Sequence, residues 1–291
     1  MGASAGFRFI RTIVRCTACR GTGAGITGLV LVIVVSVLIP FASVSQGAQG
    51  SQGSAHHRSA GTCDLPKPPN TLTVLATKCC TANPPTDAHC KYYSATDKYV
   101  IVKDADPQKP YGYLIMPSFP VTGIEQTTET EKPPVADFWQ FGWIEATQRF
   151  LKKSPKNTAL AINSKPGRQQ DQLHIHFSCV LSTVPGEIAK AGKISTDPTK
   201  PTTVQLGPHK DPYEVVTLTS LTGASSPFKL IEKFPHASGH IGDQSIAIIG
   251  TGTTNPPVYY MAVTYNHGSN PGDAEELLNQ TSTCGNVGHR R

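Results

Sequence analysis

The sequence predicts an α+β fold, an antiparallel sheet with flanking helices, preceded by one N-terminal transmembrane helix. Three observations lead there. The chain holds 26 glycines and 24 prolines, while its hydrophobic fraction is only 38%; that composition favours strands, turns and irregular loops over long helices. Several segments alternate apolar and polar residues with period two and are separated by Gly/Pro turns, as half-buried antiparallel strands do. Finally, Ala24–Ala42 (AGITGLVLVIVVSVLIPFA) is an apolar run without a single charge.

That run is close to the roughly 20 apolar residues that span a bilayer as a helix. Residues 1–23 before it carry Arg8, Arg11, Arg15 and Arg20 and no acid in the first twenty positions. Basic flanks stay cytoplasmic. The expected arrangement is therefore a basic flank (1–23), an uncleaved single-pass signal-anchor in the cell membrane (24–42), a Ser/Gln/Gly linker (43–62) and an extracytoplasmic folded domain (63–291). The formal charge of +6 belongs largely to those four arginines; without them 22 basic residues face 20 acidic ones. No basic-aromatic stripe is present, so nucleic-acid binding is not expected. The sequence carries no signal for an oligomeric state.

Six of the eight cysteines follow the apolar run: Cys63, Cys79, Cys80, Cys90, Cys179 and Cys284. An oxidising compartment should pair some of them, but six cysteines allow fifteen connectivities and the sequence does not choose. A zinc site from Cys79, Cys80, His89 and Cys90 matches no standard spacing. Ordered structure begins at Leu72. Tyr99–Asp104 and Tyr111–Pro117 form a hairpin across a turn at Asp104–Pro110. Val135–Leu151 has the helical period, with Phe138, Phe141, Ile144 and Phe150 on its apolar face and Trp139 and Trp143 at the border. Thr158–Asn163 is a short strand, turned back by Ser164–Gly167. Ile188–Thr196 reads as a helix, Asp197–Asp211 as a Pro/Lys-rich loop, Tyr213–Leu221 as a strand and Phe228–Phe234 as a short helix. Ser245–Gly250 and Val258–Tyr265 are further strands, and Ala274–Leu278 is a helical turn.

The stretch Gly167–Cys179 (GRQQDQLHIHFSC) concentrates the chemistry. With period two, Leu173, Ile175, Phe177 and Cys179 suit the core, and the inward parity of Cys179 makes it a core thiol. Gln172, His174, His176 and Ser178 share the other face, roughly 7 Å apart along the strand. Three uses of this row compete. His174 as a neutral nucleophile attacks phosphorus, with one ring nitrogen free, the other held as a donor by a carbonyl, and no metal or other cofactor required. His174 and His176 as metal ligands need a third ligand. His176-Phe177-Ser178 and His236-Ala237-Ser238 as paired His-x-Ser elements make a two-histidine phosphodiesterase. A non-catalytic alternative is an exported metal- or nucleotide-binding module.

The stretch resembles the His-φ-His-φ-His-φ-φ strand of histidine-triad (HIT) proteins, entered from a glycine five residues before the first histidine position. Gly167 holds the glycine position, and Gln172-Leu173-His174-Ile175-His176-Phe177-Ser178 fills the motif with Gln172 replacing the first histidine. The resemblance implies a HIT-like sheet, a nucleophilic His174 that forms a nucleotidyl-histidine, and His176 and Gln172 on phosphate oxygens. It also implies that Asn163 and Gln169 contact phosphate or ribose. The missing first histidine, the blocks Leu160–Ser164 and Tyr113–Pro117, and Gly242-Asp243-Gln244-Ser245 together are similar to the CDP-diacylglycerol pyrophosphatase branch, over roughly Cys63–Tyr265. That implies cleavage of CDP-diacylglycerol at the membrane surface to CMP and phosphatidate, with no metal.

Overall fold

The computed structural model describes Cys63 and residues 71–81, 87–265 and 272–282. The expected basic flank 1–23, apolar span 24–42 and linker 43–62 lie outside the described residues. Among the described residues no helix is long and apolar enough to cross a membrane.

Helix α1 (Thr71–Thr81) buries Leu75, Ala76, Cys79 and Cys80, positions that share one face at 3.6 residues per turn. Its cysteines tie it down, with disulfides Cys63–Cys80 and Cys79–Cys90. These pairings remove the thiolates that the zinc alternative needed. Strands β1 (Cys90–Ser94), β2 (Tyr99–Lys103) and β3 (Tyr113–Pro117) follow as an antiparallel meander. The expected hairpin is β2–β3, with Val100 opposite Met116 and Val102 opposite Leu114.

After a single turn, α2 (Thr127–Thr130), the chain enters a 3-10 turn at Val135–Asp137, α3 (Phe138–Ile144) and a π-helical stretch (Glu145–Phe150). Of the expected face Phe138 is buried and Phe141 and Phe150 pack against the core, but Ile144 is exposed, and Trp139, Gly142, Trp143 and Ala146 are inside. Both tryptophans face the sheet side, Trp139 against Phe228 at 5.5 Å and Trp143 edge-on to Tyr259 at 5.0 Å. Their area outweighs the smaller aliphatic residues, since a large buried side chain stabilises by roughly 1.5–3 kcal/mol. Gly142 lets the helix lie close, because a Cβ there would come 3.0 Å from Leu160 Cδ2.

Strands β4 (Thr158–Ile162) and β5 (Ile175–Val180) are antiparallel, with Ala161 opposite His176. Helix α4 (Val184–Lys190) begins earlier than expected. Pro185 suits a first turn, and the chain leaves the helix before Gly192, whose φ of +77° ends it. The stretch expected to be loop contains β6 (Thr202–Leu206), which pairs with β7 (Asp211–Leu218). The short α5 (Pro227–Leu230), then β8 (Gln244–Thr254), β9 (Pro257–Tyr265), a 3-10 turn at Ala274–Leu277 and β10 (Leu278–Asn279) complete the described part.

The ten strands make one antiparallel sheet, ordered β1-β2-β3-β5-β4-β8-β9-β7-β6 with β10 beside β5. One face carries Ile115, Leu160, Ile175, Phe177 and Ile248 in a core shared with α3 and α5. On the other face Ala159, Ala161 and Ala247 pack under α4, while α1 covers Val100, Val102 and Met116. Cys179 is buried as its parity predicts, but it is disulfide-bonded and not a free thiol.

Candidate active site

Beside β5 the loop Asp104–Gly112, the turn after β4 and the 3-10 turn Ala274–Leu277 enclose a cavity of about 230 Å³. His174, His176, Asn163, Gly167 and Gln169 all line it, as do Asp104, Lys109, Arg168 and Glu275. The topology explains the convergence. β5 is central, flanked by β3 and β4, so segments that follow or precede each neighbour reach its end.

His174 lies one residue before β5, not within it. Its Nδ1 is 2.6 Å from the Gln172 carbonyl oxygen. A carbonyl only accepts, so Nδ1 carries the proton and the Nε2 lone pair is free. Burial pushes the imidazole pKa down, against the opposing pull of that carbonyl. A neutral ring of defined tautomer results, as nucleophilic attack requires.

Gln172 is fully buried and does not line this cavity. Its Nε2 donates to the carbonyls of Pro117 at 3.3 Å and Phe119 at 3.1 Å. The residues before β5 bend away from the regular pleat, so the row of four side chains read from period two is divided at His174.

His176 sits in β5 opposite Leu114 and Ala161 and is 6% exposed. Its ring meets that of His174 edge-on at 4.9 Å between centroids. Nδ1 lies 3.1 Å from Glu275 Oε1 and 4.0 Å from Asp104 Oδ2. The Glu275 contact is not aligned as a hydrogen bond, which leaves Nδ1 without a hydrogen-bond partner. Burial lowers the His176 pKa to about 4, with Glu275 pulling the other way. For Glu275 burial pushes the pKa up, but His176 and Lys109 outweigh it and bring it to about 2. At neutral pH the uncharged His176 adds nothing to that balance; Lys109, with Nζ 2.5 Å from Oε1, keeps the carboxylate ionised.

Asn163 is engaged with Glu275 through its side-chain amide. Gly167 belongs to a tight turn in which its N–H donates to both the carbonyl and the Oγ of Ser164, each at 3.1 Å. Segment 242–245 braces this turn, since Ser164 N–H donates to Ser245 Oγ at 2.6 Å and Lys165 N–H to the Gly242 carbonyl at 2.6 Å. The next residues divide their work. Arg168 forks onto Glu125 at 2.9 and 2.6 Å and also holds Asp171. Gln169 is exposed at the cavity wall. Gln170 accepts the Leu72 N–H at 3.0 Å, fixing the start of α1 against the site.

Among the described residues, Asp104, His176 and Glu275 form one group whose ligand atoms lie within 4.8 Å of one another and would suit a metal ion. His174 is not part of it, so the His174–His176 ligand pair does not form. The paired His-x-Ser arrangement does not form either. His236 does not line the cavity; its Nδ1 bonds Glu214 Oε1 at 2.8 Å and its ring stacks on Tyr265 at 4.5 Å. Ser178 is buried, its Oγ donating to the carbonyls of Tyr111 and Asn279. Lys109 and Glu275 were not singled out from the sequence. Each lies in an expected turn, but 166 residues separate them and no local pattern links them.

Residues 67–286 match the family model described as CDP-diacylglycerol pyrophosphatase. A curated relative, the CDP-diacylglycerol pyrophosphatase of Yersinia pestis, is 32% identical over 154 residues, which is 52% of this chain and 58% of that protein. The match thus spans well under two thirds of the relative's length. Among solved structures, Hnt3 in complex with DNA and guanosine aligns at 18% identity over 37% of this chain and 59% of that one. Its TM-score of 0.27 is too low to support an argument about the fold.

Proposed function

The chain belongs to the CDP-diacylglycerol pyrophosphatase family, and from that premise we propose that it hydrolyses the pyrophosphate bond of CDP-diacylglycerol to CMP and phosphatidate. The observation that carries the mechanism is the His174 Nδ1–Gln172 carbonyl bond at 2.6 Å, which supports a free Nε2 lone pair. In the first step Nε2 forms a bond to the phosphorus of the CMP half. The bond from that phosphorus to the bridging oxygen breaks, and phosphatidate leaves with the bridging oxygen and the electron pair. In the second step water adds its oxygen to the same phosphorus and releases a proton to solvent, and the N–P bond returns its electrons to His174 as CMP departs. A phosphate monoester is a good leaving group, so the first departure needs little acid assistance. His176, edge-on to His174, faces the same phosphoryl oxygens, and Gln169 and the Gly167 turn line the nucleotide side.

On this reading the sheet is HIT-like and the apolar run Ala24–Ala42 is a single-pass anchor that keeps residues 63–291 at the lipid surface. The disulfides Cys63–Cys80 and Cys79–Cys90 favour an oxidising, extracytoplasmic compartment. The test is the full-length chain in detergent with CDP-diacylglycerol. Equimolar CMP and phosphatidate are expected. Binding of the lipid nucleotide without release of CMP overturns the reading.

A further inference from the structure

We propose that Lys109 is the cation that binds the substrate pyrophosphate, and that Glu275 is the residue that positions it. The proposal rests on the pyrophosphatase reading for its substrate class. Electrostatics pose the problem: Asp104, Asp106, Asp273 and Glu275 line the cavity against Lys109 and Arg168. A pyrophosphate diester brings further negative charge into that wall. Arg168 is not free to meet it, being 4% exposed in its side chain and held by Glu125 and Asp171. Lys109 is, since its side chain is 32% exposed and Glu275 is its ion-pair partner. An ammonium has three donors, so two remain for phosphoryl oxygens.

Both partners are braced. The Lys109 loop is closed by Lys109 N–H on the Asp106 carbonyl and Gly112 N–H on the Lys109 carbonyl, each at 2.9 Å, and Tyr111 N–H ties it to the Gln280 carbonyl. Glu275 is fixed by Asn163 from the end of β4 and by its own N–H on Asp273 Oδ1 at 2.9 Å. The same oxygen, Glu275 Oε1, is 2.5 Å from Lys109 Nζ and 3.1 Å from His176 Nδ1. One carboxylate oxygen therefore sets the cation beside the second histidine, and His176 in turn abuts the proposed nucleophile. Lys109 is faced by Glu275 and Asp273 from the 3-10 turn, by Asp104 and Asp106 from its own loop, and by His174 and His176 from the β5 side.

The experiment uses the full chain in detergent and EDTA, with calorimetric titration of inorganic pyrophosphate alongside steady-state kinetics on CDP-diacylglycerol. Lys109→Met should weaken pyrophosphate binding by about 10-fold or more, as loss of a charge-assisted contact does, and Lys109→Arg should recover most of it. Glu275→Gln keeps the amide-compatible contacts to Asn163 but removes the competing carboxylate. Its pyrophosphate affinity should be unchanged or tighter while kcat falls about 10- to 100-fold, because the cation is no longer held in register with the reacting phosphorus. A merely structural role would not divide KM from kcat in this way. Wild-type affinity in Lys109→Met overturns the proposal, as does pyrophosphate binding that appears only with added divalent cation. Equal losses of affinity and kcat in Glu275→Gln overturn the positioning role. A wild-type protein that binds pyrophosphate through Lys109 yet leaves CDP-diacylglycerol intact supports the Lys109 assignment and contradicts the pyrophosphatase reading alone.

Discussion

Asn163 holds Glu275 by both ends of its amide, Nδ2 donating to Oε2 at 3.3 Å and Oδ1 accepting the Glu275 backbone N–H at 3.2 Å. The clasp joins the end of β4 to a turn 112 residues away. An amide committed in this way works as a strut for the carboxylate. Asn163→Ala is expected to cost about 1–3 kcal/mol in urea unfolding, the range for a buried hydrogen-bonded group left unpaired, and to lower kcat more than it raises KM. A stable variant whose only change is a raised KM would instead make Asn163 a direct substrate contact.

Gln172 is expected to act on stability and not on affinity. Its Nε2 bridges the carbonyls of Pro117 and Phe119 at the end of β3, and its backbone carbonyl, which holds His174, survives any side-chain change. Gln172→Leu should therefore lower the unfolding free energy measured in urea by roughly 1–3 kcal/mol, with KM for CDP-diacylglycerol within about threefold of wild type. A tenfold rise in KM with unchanged stability would return Gln172 to the phosphates.

Acidification should weaken the fold through His176. Its pKa falls from an ordinary 6.5 to about 4 on folding because burial disfavours the cation. As pH drops, the unfolded chain takes the proton first, so stability present above pH 6.5 is lost down to about pH 4, by up to about 3 kcal/mol. Urea midpoints at pH 7 and pH 4.5 should differ less in His176→Gln than in wild type. An identical pH dependence in the two proteins would contradict a buried neutral His176. Below pH 4.5 Glu275 adds its own loss, since its depressed pKa stabilises the folded state only while the carboxylate is ionised.

Much of the local architecture was legible because period-two and helical patterns report burial directly. The β2–β3 hairpin, the β4–turn–β5 return and the inward parity of Ile175, Phe177 and Cys179 all follow from it. Strand β6 escaped because its flanks are rich in proline and lysine and its outer positions are polar. The apolar face of α3 is legible at Phe138, Phe141 and Phe150, but two tryptophans take the inward positions ahead of the aliphatic Ile144. His174 and Gln172 looked equivalent by parity, yet the chain bends before Ile175, so one side chain enters the cavity and the other anchors the neighbouring strand's exit. Lys109 and Glu275 carry no local signal at all. They become partners only when the C-terminal turn folds over β5, an event of tertiary packing.

On the proposed mechanism His174 attacks phosphorus. The most direct measurement is a rapid acid-free quench of the full-length chain with CDP-diacylglycerol labelled in the cytidine half, followed by mass spectrometry of the peptide bearing His174. CMP is expected on that histidine through an acid-labile N–P bond, with no adduct in His174→Ala and turnover reduced by at least about 10³-fold in that variant. CMP release by His174→Ala at the wild-type rate would contradict it.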